Sequence, residues 1–135
     1  MHRLLRLLLL QLSVRVVLDL TKAGSGELTL SGVNTFSGAT VVDAGTLTLS
    51  GGSALANSMA VTVNANGTLK LASDEEIGSL SGSGVVDLET SRLTVGGSTS
   101  TTFSGLITNS NGSLRKNGTS VLTLTGANDF MGGLS

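Results

Sequence analysis

The chain has 135 residues, enough for one ordinary domain, and carries 19 glycines but no Pro, Cys, Trp or Tyr, with aromatics at 2%. A formal net charge of −1 removes the electrostatic case for nucleic acid, which needs clustered Lys and Arg, and the absence of Cys excludes disulfides and thiolate metal sites. Positive mean hydropathy with few charges is unlike a disordered chain, and the abundance of Val, Thr, Gly, Asn and Ser points to strands joined by turns.

Residues 1–19 form a divergent segment without the Gly/Ser/Asn punctuation that follows. One reading is a secretory signal, with Arg3 and Arg6 ahead of the apolar run Leu7 to Leu10. That run is four residues long, too short to span a bilayer, and no small-x-small cleavage site follows before Arg15. The preferred reading is a local helix or strand, or sequence left by a misassigned start.

From residue 20 the chain repeats. Residues 20–38, LTKAGSGELTLSGVNTFSG, align without a gap on residues 114–132, LRKNGTSVLTLTGANDFMG, at an offset of 94, with ten of nineteen positions identical. The repeat positions are Leu28, Leu30, Gly32, Asn34 and Phe36 in the first copy and Leu122, Leu124, Gly126, Asn128 and Phe130 in the second. A shorter aliphatic-polar-aliphatic element recurs between them, at Leu47 to Leu49, Leu69 to Leu71 and Leu93 to Val95. Two aliphatics flanking one polar residue are the period-2 mark of a strand with one buried face. Successive copies from Leu28 through Leu47, Leu69, Leu93 and Leu122 are 19, 22, 24 and 29 residues apart. Further strands are expected at Ala39–Val42, Ala60–Val63, Val85–Leu88 and Phe103–Thr108.

One coil of such a repeat cannot bury its own aliphatic face, whereas stacked coils place Leu over Leu in a continuous core. The expected fold is therefore all-β, a parallel β-solenoid of about five rungs. At the usual interstrand spacing these make a rod roughly 24 Å long. The five L-T-L-like elements should stack on one another, with surplus residues looping out at corners. The absence of Pro suits a chain whose strands are nearly all paired. A two-sheet sandwich of short antiparallel strands is the competing architecture. It does not require the same element to return in register.

The segment LTKAGSGELTLSGVNTFSGATVVDAGTLTL, residues 20–49, resembles the autotransporter-associated β-strand repeat, also called the passenger-associated transport repeat. Residues 77–97 and 102–107 are similar to the spacer that joins such repeats, so the resemblance covers residues 20–135. The copy at 114–135 departs from the first at Ser120 and Met131, where Gly26 and Ser37 stand. The resemblance implies a right-handed parallel β-helix in the secreted or surface-exposed passenger of a Gram-negative autotransporter. There the repeats act as a stalk and help the passenger cross the outer membrane. It also implies a partnership with the rest of the autotransporter chain and its β-barrel translocator. No closing series of amphipathic barrel strands follows here, and the chain is expected to be an incomplete fragment of a larger product. Exposed strand edges at both ends of a cut solenoid would then favour self-association. An adhesin-like module displaying loops from the solenoid toward a cell-surface ligand is the alternative function.

Chemistry-bearing residues are few, and no enzyme, cofactor or metal is expected. Asp87 and Glu89 flank Leu88 and would share one face of a strand, as paired carboxylates do in glycosidic chemistry. With Val86 and Leu88 facing the core and Arg92 near, a solvated pair is the preferred reading. The acidic run Asp74-Glu75-Glu76, with Ser73 in capping-box position, reads as a corner turn rather than converging metal ligands. His2 is the only histidine, so the repeat region cannot build a Ser–His–Asp arrangement. Asn66-Gly67-Thr68, Asn111-Gly112-Ser113 and Asn117-Gly118-Thr119 match the N-glycosylation pattern but read as turns in a bacterial context. The strings Gly24–Gly26 and Gly82–Gly84 lack the later glycine and Lys of phosphate loops and read as corners. Phe36, Phe103 and Phe130 are read as structural slots rather than a ligand-stacking surface. The candidate display loops are Ser50–Met59 and Gly96–Thr102.

Overall fold

The structure, a computed structural model, describes residues 18–34, 37–109 and 111–129. Period-2 patterning yields twelve strands in chain order and, among the described residues, no helix. They are β1 (Leu20–Lys22), β2 (Glu27–Leu30), β3 (Thr40–Leu49), β4 (Ala60–Leu71), β5 (Glu75–Ile77) and β6 (Ser79–Gly82). The series continues with β7 (Val85–Asp87), β8 (Arg92–Val95), β9 (Thr101–Phe103), β10 (Leu106–Thr108), β11 (Ser113–Lys116) and β12 (Leu122–Leu124). Every pairing between them is parallel. The strands stack as a solenoid of about five turns with three sides.

On the first side β1, the start of β3, the start of β4, β6, β9 and β12 follow one another, so that Leu20 lies beside Thr40, Thr40 beside Val61 and Val61 beside Leu80. On the second side Leu28, Leu47, Leu69, Val86 and Ile107 form one column. The third side is shorter, with Glu75 beside Leu93 and Leu93 beside Leu114. Strands β3 and β4 run through the corner between sides one and two, where the register slips between Val42 and Ala44 as one strand carries an extra residue.

The stacking differs from the sequence expectation in one respect. Leu28, Leu47 and Leu69 do share a column, but Leu93 and Val95 lie on the third side and Leu122 and Leu124 on the first. Val86 and Ile107 take the places expected for Leu93 and Leu122. The surplus residues therefore do not loop out at corners. The step from Leu69 to Val86 is 17 residues and from Val86 to Ile107 is 21. Period-2 patterning reports that a segment is a strand with one buried face, and it carries no information about which side of a three-sided coil receives it.

The inward positions of the three sides meet in one apolar core, where Leu47, Leu49, Leu69, Leu71, Val86 and Leu88 are wholly buried. Each fully buried side chain of this size contributes about 1.5–3 kcal/mol. Leu28 and Leu30 on the first coil, and Leu122 and Leu124 on the last, are only partly buried against the same core. Phe103 is fully buried beneath the first side. It pairs with Gly82, where φ is 112° and a Cβ would overlap the Val63 carbonyl of the coil below. Phe36 and Phe130 lie outside the described residues, as does His2.

Candidate functional site

The two repeat copies build the same local object at different corners. In the first copy β1, a corner and β2 lead from side one to side two; in the second β11, a corner and β12 lead from side three to side one. Gly24 and Gly118 both take φ of 76°, a left-handed conformation that glycine adopts without a Cβ clash. Lys22 Nζ donates to the carbonyls of Ala23 at 2.8 Å and Gly24 at 3.0 Å, and Lys116 Nζ donates to the carbonyl of Asn117. Lys22 also reaches the Ala44 carbonyl of the next coil at 3.3 Å. The lysine neutralises carbonyls that turn away from the ladder at the corner. The repeat thus has the length of one coil, its last residue Gly38 donating its N–H to the Leu18 carbonyl of the coil below at 2.9 Å, and the same corner is set on different sides in the two copies.

Glycine columns, which sequence reasoning missed, line two of the corners. Between sides one and two, Gly45, Gly67, Gly84, Gly105 and Gly126 each come against backbone carbonyls of the preceding coil. At Gly105 a Cβ would overlap the Gly84 carbonyl oxygen and lie 2.7 Å from the Ser83 carbonyl carbon and 2.8 Å from Phe103 Cζ. Gly78, Gly97 and Gly118 do the same between sides three and one. The near-coil spacing of these glycines is the signal that could have revealed them.

The acidic candidates are not arranged as a catalytic pair. Asp87 Oδ1 accepts the Glu89 N–H at 3.1 Å and the Asn109 side-chain amide at 3.2 Å. Glu89 lies beyond the strand in a turn with φ of 54°, and its partner is Lys70 at 3.5 Å rather than Arg92. Val86 and Leu88 are buried as expected. Arg92 instead donates its backbone N–H to Asp74 Oδ1 at 2.8 Å.

Asp74-Glu75-Glu76 is not the expected corner turn. Residues 75–77 form β5, and Ser73 Oγ is buried without a partner, so no capping box forms. Glu75 points inward and is 3% exposed, because it occupies the same inward column as Leu93 and Leu114. Its carboxylate accepts the N–H of Leu55 at 2.9 Å and that of Ala54 at 3.4 Å. Burial holds the Glu75 carboxyl above its ordinary range, against the opposing pull of those two backbone donors.

The Asn-Gly elements serve the coils. Asn66-Gly67 sits inside β4 where it crosses a corner, and Asn117-Gly118 is the corner of the second repeat. The repeat asparagines bridge coils: Asn34 Nδ2 donates to the Ala54 carbonyl at 2.9 Å, and Asn128 Oδ1 accepts the Ile107 N–H at 2.8 Å. Among the described residues, no group of three or more His, Cys, Asp or Glu gathers to hold a metal ion.

Comparison with known proteins follows this geometry. The family model of the passenger-associated transport repeat matches residues 20–49 and 114–135. The adhesin BmaC autotransporter of Brucella suis biovar 1 (strain 1330) is 51% identical over 90 residues, covering 64% of this chain and 3% of that protein. The chain therefore spans a small part of the curated relative it matches. No solved structure matches it.

Proposed function

Taking as premise that the chain carries passenger-associated transport repeats at residues 20–49 and 114–135, we propose that it is a structural segment of an autotransporter passenger. It serves as a stalk at the cell surface or in the secreted protein, assists passage across the outer membrane, and works beside the translocator barrel of its own system. The observation that supports this best is the continuity of the coils. One apolar core and the parallel ladder of side one run from β1 in the first matched repeat to β12 in the last. Such a rod transmits position and resists bending, and among the described residues no group of three or more His, Cys, Asp or Glu converges on it. The repeat positions of residues 20–135, Leu28 and Asn34 among them, have a structural role in this reading, and the segment acts mechanically rather than as an enzyme.

The test places the chain between a secretion signal and an outer-membrane translocator barrel and measures its accessibility to protease on intact cells. Efficient surface display, reduced severalfold by Gly105→Val with Gly126→Val, is the expected outcome. Equal display of the wild type and this doubly substituted variant would remove the link between solenoid stacking and export. The second reading, an adhesin-like module, is favoured by the printed name of the curated relative. It predicts saturable binding of the purified chain to host or neighbouring cells, abolished by replacing the exposed residues Ser53, Asn57, Ser58, Ser98 and Thr99, while the buried Ala54, Leu55 and Met59 of the first expected display loop stay in the core. In isolation the chain is expected to self-associate through β2 and β12, each paired on one side only among the described residues.

A further inference from the structure

The third side of the second coil is built differently from those above it. Later coils place β5, β8 and β11 there, hydrogen-bonded in a ladder. The second coil has only the bent segment of residues 51–59 in that place, opened by Gly51 and Gly52 with φ of 90° and 86°. Ala54, Leu55 and Met59 are nevertheless buried in the core. Two side chains hold the segment, one from each neighbouring coil. Asn34 from below donates to the Ala54 carbonyl, and Glu75 from above accepts the N–H groups of Ala54 and Leu55. Backbone contact with the next coil resumes at Met59, whose carbonyl accepts the N–H of Gly78 at 2.8 Å.

We infer that residues 51–58 are a latch in the wall of the solenoid, closed by Asn34 and Glu75, that swings out before any strand of the ladder parts. A strand opens only by breaking a row of backbone bonds to both neighbours. The latch opens by breaking the bonds of two side chains and exposing Ala54 and Leu55. Opening also returns the Glu75 carboxylate to water. The other charged groups around it face outward: Asp74, Arg92 and Arg115 are exposed, and Glu76 and Lys116 partly so. The latch segment itself bears no charge, and Glu27 of the coil below is engaged by the Thr48 hydroxyl at 2.6 Å. Glu75 is thus the titrating group whose surroundings change on opening. Because the closed state raises its pKa, that state holds its proton to higher pH than the open state does. The latch is tightest below the ordinary carboxylate range and loosens as pH rises through the raised value.

The experiment is hydrogen exchange of the full chain read by mass spectrometry, with rates divided by intrinsic chemical rates at each pH. The amides of Ala54 and Leu55 should exchange faster than those of β3 and β4. Glu75→Ala, which removes their acceptor, should speed them roughly tenfold while leaving β4 protected, and Glu75→Gln, a neutral isostere of the protonated carboxyl, should leave them as protected as in the wild type at low pH. Their protection should decline with rising pH in the wild type, and this decline should be absent from Glu75→Gln. Residues 51–58 protected as strongly as β4 in the wild type would overturn the latch without any variant. So would a pH dependence that survives Glu75→Gln.

Discussion

Substituting Gly105 by Ala sets two physical effects of opposite sign against each other. Ala restricts the unfolded chain more than Gly, which alone would stabilise the fold by about 0.4–1 kcal/mol. In the folded chain, however, the new methyl meets the Gly84 carbonyl oxygen, the Ser83 carbonyl carbon at 2.7 Å and the Phe103 ring at 2.8 Å. Two of these are backbone, so no rotamer change relieves them, and overpacking of this kind costs about 1–3 kcal/mol. The coils must move apart where Leu106 N–H donates to the Gly84 carbonyl at 3.0 Å, which weakens a bond worth about 1 kcal/mol. The net expectation is a loss of about 1–3 kcal/mol. With a urea dependence of about 1–3 kcal/mol/M, the midpoint followed by far-UV circular dichroism should fall by roughly 1 M. Gly26→Ala is the control, since nothing lies within 4 Å of its Cβ position and its φ is ordinary; it should be neutral or slightly stabilising. A Gly105→Ala midpoint equal to or above that of Gly26→Ala would refute the claim that carbonyl approach, not turn flexibility, places glycine there.

Leu69→Ala removes a wholly buried side chain at the middle of the second-side column and should cost about 2–5 kcal/mol in the same titration, whereas Val33→Ala, at a position 75% exposed, should be neutral. Lys22→Met should destabilise by about 1–3 kcal/mol, because three corner carbonyls lose their shared donor, and more than Lys116→Met, whose donor serves one. Stability of the wild type should decline as pH rises through the raised pKa of Glu75, since the folded state binds the extra proton in that interval. Thermal melts across this range should show the slope, and Glu75→Leu should flatten it.

Parallel stacking was legible because Leu28 to Leu30, Leu47 to Leu49 and Leu69 to Leu71 combine alternation with steps close to one coil. The side assignment of Leu93 and Leu122 was not legible. Each side of the coil imposes the same alternation, and only the register of hydrogen bonds tells the sides apart. Glu75 was misplaced for a related reason. Three consecutive acids look like a solvated turn, yet Glu75 and Ile77 continue the inward alternation of Leu93 and Val95 one coil later. Burial there is accepted because two backbone amides on the neighbouring coil have no strand to bond. Asp87 and Glu89 were correctly separated from the core, but the turn that parts them required a positive φ at Glu89 that no local pattern announced.

That a coil-length repeat starts on side one in one copy and on side three in the other has a consequence for how such rods grow. The unit is not tied to one vertex of the triangle, so a duplicated coil can be set down at whichever side the preceding strand reaches. Each added coil lengthens the rod by one interstrand step of about 4.8 Å and leaves whatever lies downstream facing as before.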